Sequence, residues 1–273
     1  MTQHLDVIDL VSQMKASQEC FALATVVRTV SVTAAKAGAK AIIKPDGTII
    51  AGWIGGGCAR GAVLKAAKES MIDGQPRLVS VQPEDLLLDL GVKPGDDRDG
   101  IKFFKNACPS KGTMDIFIEP VLPRPVLSVL GASPVALALS TLGRQFGYHV
   151  VLSAPAQDFV EAPVADQVHD GFRVDEVSTG DLFVVVSTQG KGDEAALKTA
   201  LSAKSAYVGF VGSHRKITVL RQKLADAGIA NELAAHVKAP AGLDLGAITP
   251  EEIALSILAE ITAVRRKKQR TQF

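Results

Sequence analysis

The hydrophobic pattern changes character part-way along the chain. Up to Pro120 it mixes one helix-like stretch with short alternating runs and turns; beyond Pro125 it settles into strand, helix, strand. Leu5, Ile8, Leu10, Val11 and Met14 recur near helical spacing and predict an amphipathic helix over 4–16. The continuous apolar run 20–27 (CFALATVV) predicts a buried strand. Segments 40–44 and 48–51 predict a hairpin around Pro45-Asp46-Gly47, where Pro presets φ and Gly accepts a positive one. Next comes Gly52-Trp53-Ile54-Gly55-Gly56-Gly57-Cys58, then a helix predicted over 59–71 and ended by Gly74-Gln75-Pro76. Segments 78–81 and 113–120 alternate like strands, and 91–100 between them reads as a polar, turn-rich loop.

Val121-Leu122-Pro123-Arg124-Pro125 reads as a linker, since two close prolines stiffen it and exclude helix. Strands are predicted over 126–130, 149–153, 182–187 and 206–211. Helices are predicted over 133–146, with Ser133 as N-cap, Pro134 at N1 and Gly147 after its end, and over 193–203 and 213–227. Thr249-Pro250-Glu251-Glu252 is a complete helix start, capping box and N1 proline together. Ile253, Ile257, Leu258, Ile261 and Val264 mark the buried face of that last helix. Strands alternating with helices imply a parallel sheet covered on both sides. The fold class is therefore α/β, an α+β first half followed by a Rossmann-like, doubly wound parallel sheet, with domains over 1–122 and 123–273.

Composition narrows the classes of function. At ~150 residues per domain, 273 residues with 47% apolar and 22% charged positions suit two globular domains. Lys plus Arg number 30 and Asp plus Glu 29, a net charge of +1, which argues against general nucleic-acid binding. The basic tail 265–270 reads as a solvated, frayed helix end. No stretch reaches the roughly 18 to 20 apolar residues of a membrane helix, and the early acids of the N-terminus do not resemble a signal peptide. The expectation is a cytoplasmic protein. The three cysteines, Cys20, Cys58 and Cys108, are too scattered for a disulfide framework or a metal knuckle. Hydrolytic signatures (GxSxG, HExxH, P-loop) are missing, and the five histidines lack metal-ligand spacing.

Candidate chemistry concentrates in four places. Leu130-Gly131-Ala132-Ser133-Pro134 joins a strand to a helix, where a GxGxxG loop would bring backbone to a pyrophosphate. Ser133 replaces the second glycine and either crowds a diphosphate or hydrogen-bonds one; Pro134 removes an N–H; an ordinary, well-capped turn is the plain alternative. The next strand ends in Ser153-Ala154-Pro155-Ala156 without the acid that a nicotinamide dinucleotide's ribose needs, and Asp158 comes too late in the loop, so NAD(P) is disfavoured. Gly212-Ser213-His214-Arg215-Lys216 opens another helix with cations that suit an anion, or with a merely exposed basic turn. Gly55-Gly56-Gly57-Cys58 is entropically costly in any regular element, so bare backbone is needed there for a tight crossing or a ligand. Cys58 opens a helix, as a soft ligand or nucleophile or as a small buried thiol, and Cys108 is a loop cysteine able to face it.

Taken together, these residues resemble the XdhC/CoxI accessory proteins of molybdenum hydroxylases. The likeness rests on Ala24-Thr25-Val26-Val27-Arg28-Thr29, Gly38-Ala39-Lys40 and Gly47-Thr48-Ile49-Ile50 leading to Ile54-Gly55-Gly56-Gly57-Cys58. In the second half it rests on the Gly131 loop, Gly212-Ser213-His214-Arg215-Lys216, and Gly242-Leu243-Asp244-Leu245-Gly246-Ala247 before Thr249-Pro250-Glu251-Glu252-Ile253-Ala254. The chain departs from the family pattern at Ser31-Val32, Ala34-Ala35, Arg60, Pro109-Ser110 after Cys108, Ser133, Ala154 and Ala156.

The resemblance implies an XdhC/CoxI domain followed by a Rossmann-like domain. It further implies a dimeric cytoplasmic chaperone, compatible with the CoxF-like branch, that carries molybdenum cofactor as molybdopterin or its cytosine dinucleotide. Such a chaperone supports sulfuration of the cofactor or its insertion into xanthine or carbon monoxide dehydrogenase-type clients, with other maturation proteins as partners. Gly55, Gly56, Gly57, Cys58, Cys108, Gly131, Ser133, Gly212, Ser213, Arg215 and Asp244 are the cofactor-binding candidates, Cys58 the residue nearest the metal, and Asp244 the group orienting pterin N–H donors. No catalytic residue is expected. The rivals are an NAD(P)-dependent oxidoreductase and a docking-only factor with a vestigial ligand site.

Overall fold

A computed structural model describes residues 6–109, 111–177 and 181–270; the side chains of Cys58 and of 268–270 lie outside that description. The chain divides into two compact units, Met1–Pro123 and Arg124–Phe273.

The first unit opens with helix α1 (Val7–Ala16), strand β1 (Phe21–Val30) and the hairpin β2 (Lys40–Ile43) and β3 (Ile49–Gly52). Helix α2 (Gly57–Asp73) follows and ends on Gly74, left-handed at φ +73°. Then come β4 (Arg77–Gln82), the short helix α3 (Glu84–Asp89), β5 (Asp97–Arg98), β6 (Ile101–Lys105) and β7 (Thr113–Val121). The strands form one sheet in the order β3-β2-β1-β7-β4-β6-β5. Only β4 and β6 run parallel; every other pair is antiparallel. Alternation sorts the side chains: Ala22, Ala24, Ala41 and Ile43 pack with Val63, Ala66 and Ala67 of α2, while Phe21 and Ile42 turn to the opposite face and meet Met14 of α1.

The polar loop expected over 91–100 is only part of what lies there. β6 was not legible because Lys102 and Lys105 interrupt its short apolar run. Phe103 packs with Leu87 and Val92, whereas Phe104 turns towards the main core.

The second unit has β8 (Val126–Leu130), α4 (Pro134–Gln145), β9 (His149–Ala154), a 3-10 turn Ala156–Asp158, β10 (Gln167–Asp170), β11 (Leu182–Val186), α5 (Asp193–Ser202), β12 (Tyr207–Phe210), α6 (His214–Asp226), α7 (Asn231–Ala235) and α8 (Pro250–Arg270). Its five strands are all parallel, in the order β10-β9-β8-β11-β12. Helices cover both faces: Leu127, Val129, Phe183 and Val185 meet α4 and α8, whereas Leu182, Val184 and Val186 meet α5 and α6. β11 is buried along its whole length, which explains its unbroken apolar sequence. The order reverses between β8 and β11, and ligands of such sheets bind beyond the carboxyl ends of the strands near that point.

Helix starts follow the sequence closely. Ser133 Oγ accepts from the N–H of Ala136, and Ser213 Oγ from that of Lys216. At the start of α8, Thr249 Oγ1 accepts from Glu252 N–H while Glu252 Oε2 accepts from Thr249 N–H. The basic tail departs from the frayed end expected of it: α8 continues to Arg270, and the Arg265 guanidinium lies 5.4 Å from the centre of the Tyr148 ring.

Candidate functional site

Three depressions follow the carboxyl edge of the parallel sheet. The first lies in the turn after β8. Gly131 adopts φ +126°, and a Cβ there would collide with the carbonyl oxygen of Ser187, so only glycine fits. The Ser133 hydroxyl, besides capping α4, lies 2.7 Å from the Ser187 hydroxyl. Asp158, expected to come too late in its loop, is carried back by the 3-10 turn and shares a cavity with Gly131, Ala132 and Ser133. That cavity holds only about 40 Å³. The Asp158 carboxylate accepts from Lys191 Nζ at 3.1 Å, and Phe172 fills another wall.

The second depression, about 220 Å³, is lined by Ser133, Pro134, Val135, Ser187, Val211 and Pro250, among others. Val211 also borders the third, a cleft of about 740 Å³. One wall of this cleft is Gly212, Ser213 and His214 at the start of α6; another is the loop 242–247 with Asp244; Lys238 and Glu260 complete it. The structure thus brings Gly212, Ser213 and Asp244 to one cleft. Arg215 is exposed at the next position and does not line it.

Lys216 has a different task from the anion binding suggested by its neighbours. Its ammonium lies 2.8 Å from Asp193 Oδ2 and 5.5 Å from the centre of the Phe210 ring. Asp193 also accepts from Thr188 Oγ1 at 2.5 Å. Burial alone pushes the Asp193 carboxyl up, but Lys216 and Thr188 outweigh it and hold the group below its ordinary value.

In the first unit the glycine run resolves into different parts. Gly55 is buried at φ +112°, and a Cβ there would sit 3.4 Å from Met114 Cε; it serves a turn and close packing. A Cβ at Gly56 or Gly57 would meet no heavy atom within 4 Å. Those two glycines face open space, and they line a cavity of about 300 Å³ with Cys108, Asn106, Val32 and Met114. Asn106 shapes the Cys108 loop: its Oδ1 accepts from the Cys108 N–H at 2.9 Å and its Nδ2 donates to the Gly112 carbonyl at 2.6 Å. The backbone of Cys58 lies in the first turn of α2; its side chain lies outside the described residues. Cys20 precedes β1, and burial raises its thiol pKa.

Sequence reasoning missed Glu260 and Lys238. Glu260 follows Ile257 by three residues and precedes Val264 by four, so it sits on the apolar stripe of α8, where a carboxylate is out of place. That was the available signal. Among the described residues no cluster of three or more His, Cys, Asp or Glu side chains could hold a metal ion. Nor is any helix among them long and apolar enough to cross a membrane.

Comparison with known proteins gives two matching family descriptions. The XdhC and CoxI family matches residues 14–82, and the XdhC Rossmann domain matches residues 127–261. An uncharacterised protein, YqeB, of Escherichia coli K12 is 28% identical over 257 residues, covering 91% of this chain and 44% of that protein. A protein of Bacillus subtilis 168 named as a probable xanthine dehydrogenase subunit is 28% identical over 163 residues, covering 57% of this chain and 47% of that protein. The chain therefore spans less than half the length of these two relatives. The molybdenum cofactor insertion chaperone PaoD of Escherichia coli K12 is 23% identical over 280 residues, covering 89% and 83% of the two chains. A solved structure named as a xanthine dehydrogenase from Bacillus halodurans superposes with TM-score 0.47 at 19% identity, covering 96% of each chain.

Proposed function

The chain belongs to the XdhC and CoxI family, and from that premise we propose that it carries molybdenum cofactor as cargo while the cofactor is matured and inserted into a client molybdenum hydroxylase. One observation carries this reading. Gly56 and Gly57 are needed neither for a positive φ nor for packing, yet they stand bare on a cavity that Cys108 also lines. Bare backbone beside open space suits the close approach of a flat, phosphorylated metal-pterin. Cys58, in the first turn of α2, is the proposed ligand toward molybdenum or its sulfur, because thiolates are soft ligands and a helix start favours the thiolate. In the Rossmann unit Gly212, Ser213 and Asp244 are the proposed contacts on the wide cleft, with Arg215 as a cation in the same turn. Gly131 and Ser133 are assigned the shaping of the neighbouring loop.

The proposed setting is a cytoplasmic homodimer, allied to the CoxF-like branch, that meets its client and other maturation proteins and takes the cofactor as molybdopterin or as the cytosine dinucleotide. The name of the relative PaoD supports the role. NAD(P)-dependent oxidoreduction is disfavoured, because the first crossover offers about 40 Å³ and Asp158 on its wall is paired with Lys191.

Pterin fluorescence released from the purified protein, and activation of a cofactor-free hydroxylase, test the reading together. The wild-type chain is expected to carry pterin and to activate the client, and Cys58→Ala to lower both by about tenfold or more. A Cys58→Ala, Cys108→Ala double variant that carries and activates like wild type removes the cysteine role. Client binding without any pterin would select a docking factor instead, and micromolar NADH binding would select the oxidoreductase.

A further inference from the structure

A largely buried carboxylate stands on the wall of the wide cleft. The Glu260 side chain is 12% exposed. Its Oε2 accepts from Tyr207 Oη at 2.6 Å and from the Gly242 N–H at 2.9 Å, which fixes the plane of the carboxylate. Gly242 makes the second contact possible: it holds φ +103°, and a Cβ there would collide with Ser256 Oγ. Burial and the facing carboxylate push the Tyr207 hydroxyl far above its ordinary range, so it stays a donor.

The other oxygen is different. Glu260 Oε1 has Lys238 Nζ at 3.7 Å, beyond hydrogen-bond reach, and accepts no hydrogen bond from the described residues. That oxygen keeps open acceptor capacity on the wall of the cleft, where a donor entering the cleft can bond it. Lys238 is 63% exposed and lines the same cleft, so an acceptor and an exposed donor stand side by side before about 740 Å³ of space. That volume falls within the range of small-molecule sites.

We propose that Glu260 and Lys238 read one edge of an amino-substituted heteroaromatic ring, Oε1 accepting from a ring or amino N–H and Lys238 donating to the adjacent ring nitrogen or carbonyl oxygen. This deepens the chaperone reading by naming what the second unit holds, and it rests on that reading only for the choice of ring. The amino-oxo edge of a pterin and the amino-imine edge of cytosine share this donor-beside-acceptor pattern. Asp244, exposed on the rim of the same cleft, stays a proposed contact beside this pair.

Titrations of the full chain with neopterin, read by fluorescence, and with cytidine triphosphate, read by calorimetry, test the proposal; inorganic tripolyphosphate is the control. At least one ring compound is expected to bind, with Glu260→Gln and the exposed change Lys238→Ala each weakening it about tenfold or more. Neopterin binding assigns the pterin, and cytidine triphosphate binding the pyrimidine. The proposal is overturned if neither ring compound binds, if tripolyphosphate binds as well as cytidine triphosphate, or if both variants bind like wild type. Lys238→Ala keeps the test valid should Glu260→Gln fail to fold. A protein that retains cofactor and activates its client, yet fails these titrations, leaves the chaperone reading standing. One that passes them but carries no cofactor separates the two the other way.

Discussion

The turns after β8 and β12 are written in nearly the same way and do different things. Each leaves a parallel strand through a glycine, caps a helix with serine at φ −68°, and accepts the N–H three residues on. After β8 the neighbours close in: the Ser187 carbonyl abuts Gly131, the Ser187 hydroxyl meets Ser133, and Lys191 reaches across to Asp158. After β12 the chain opens on about 740 Å³, because the loop 242–247 stands away from the start of α6. Local grammar makes the turn, and the residues that arrive from elsewhere decide whether it is a site. The usual dinucleotide position of such a sheet is the crowded one here.

Substitutions can break or sharpen that contrast. Gly131→Ala is expected to cost about 2–4 kcal/mol in urea unfolding, since it combines a strained φ with a backbone collision. A loss below about 1 kcal/mol would mean that the first turn is looser than its geometry. Asp193→Asn should cost about 1–3 kcal/mol by unpairing Lys216 and weakening the Thr188 contact. The folded Asp193 pKa is lowered, so its contribution is present above the unfolded carboxyl value of ~3.9 and is lost as pH falls through the folded value. The variant should therefore show a flatter acid limb in its stability profile; an unchanged limb would count against the ion pair. Ser133→Ala is expected to cost about 1–2 kcal/mol and Ser213→Ala about 0.5–1, because only the first serine is buried against a second hydroxyl. Equal losses would erase the distinction between the two caps. Smallest of all, Gly56→Ala and Gly57→Ala should shift stability by no more than about 0.5 kcal/mol while lowering pterin retention. A large unfolding effect there would return those glycines to a packing role.

Much of the Rossmann-like half was legible, because its strands and helices are long, their apolar periods clean, and their caps explicit at Ser133, Ser213 and Thr249. The XdhC/CoxI half was harder. β6 is five residues, two of them lysine, and its parallel pairing with β4 is a long-range event that no local pattern encodes. At the candidate site, sequence offered the glycine run but could not separate Gly55 from Gly56 and Gly57, since packing against Met114 is a tertiary fact. It overlooked Glu260 for the same reason: the partners that orient it, Tyr207 and Gly242, lie 53 and 18 residues away. Lys216 looked like a ligand cation until Asp193 came within 2.8 Å.

Residue 238 also holds the sheet from outside. Its backbone N–H donates to the Val208 carbonyl and its carbonyl accepts from Phe210, so a one-residue parallel bridge to Gly209 caps the free border of β12. That border is thereby denied to strands of other molecules, which would otherwise extend the sheet. The cap uses main-chain atoms alone, so the side chain at this position is left at liberty to vary. Selection can retune what the neighbouring hollow accepts without unsealing the layer beneath it.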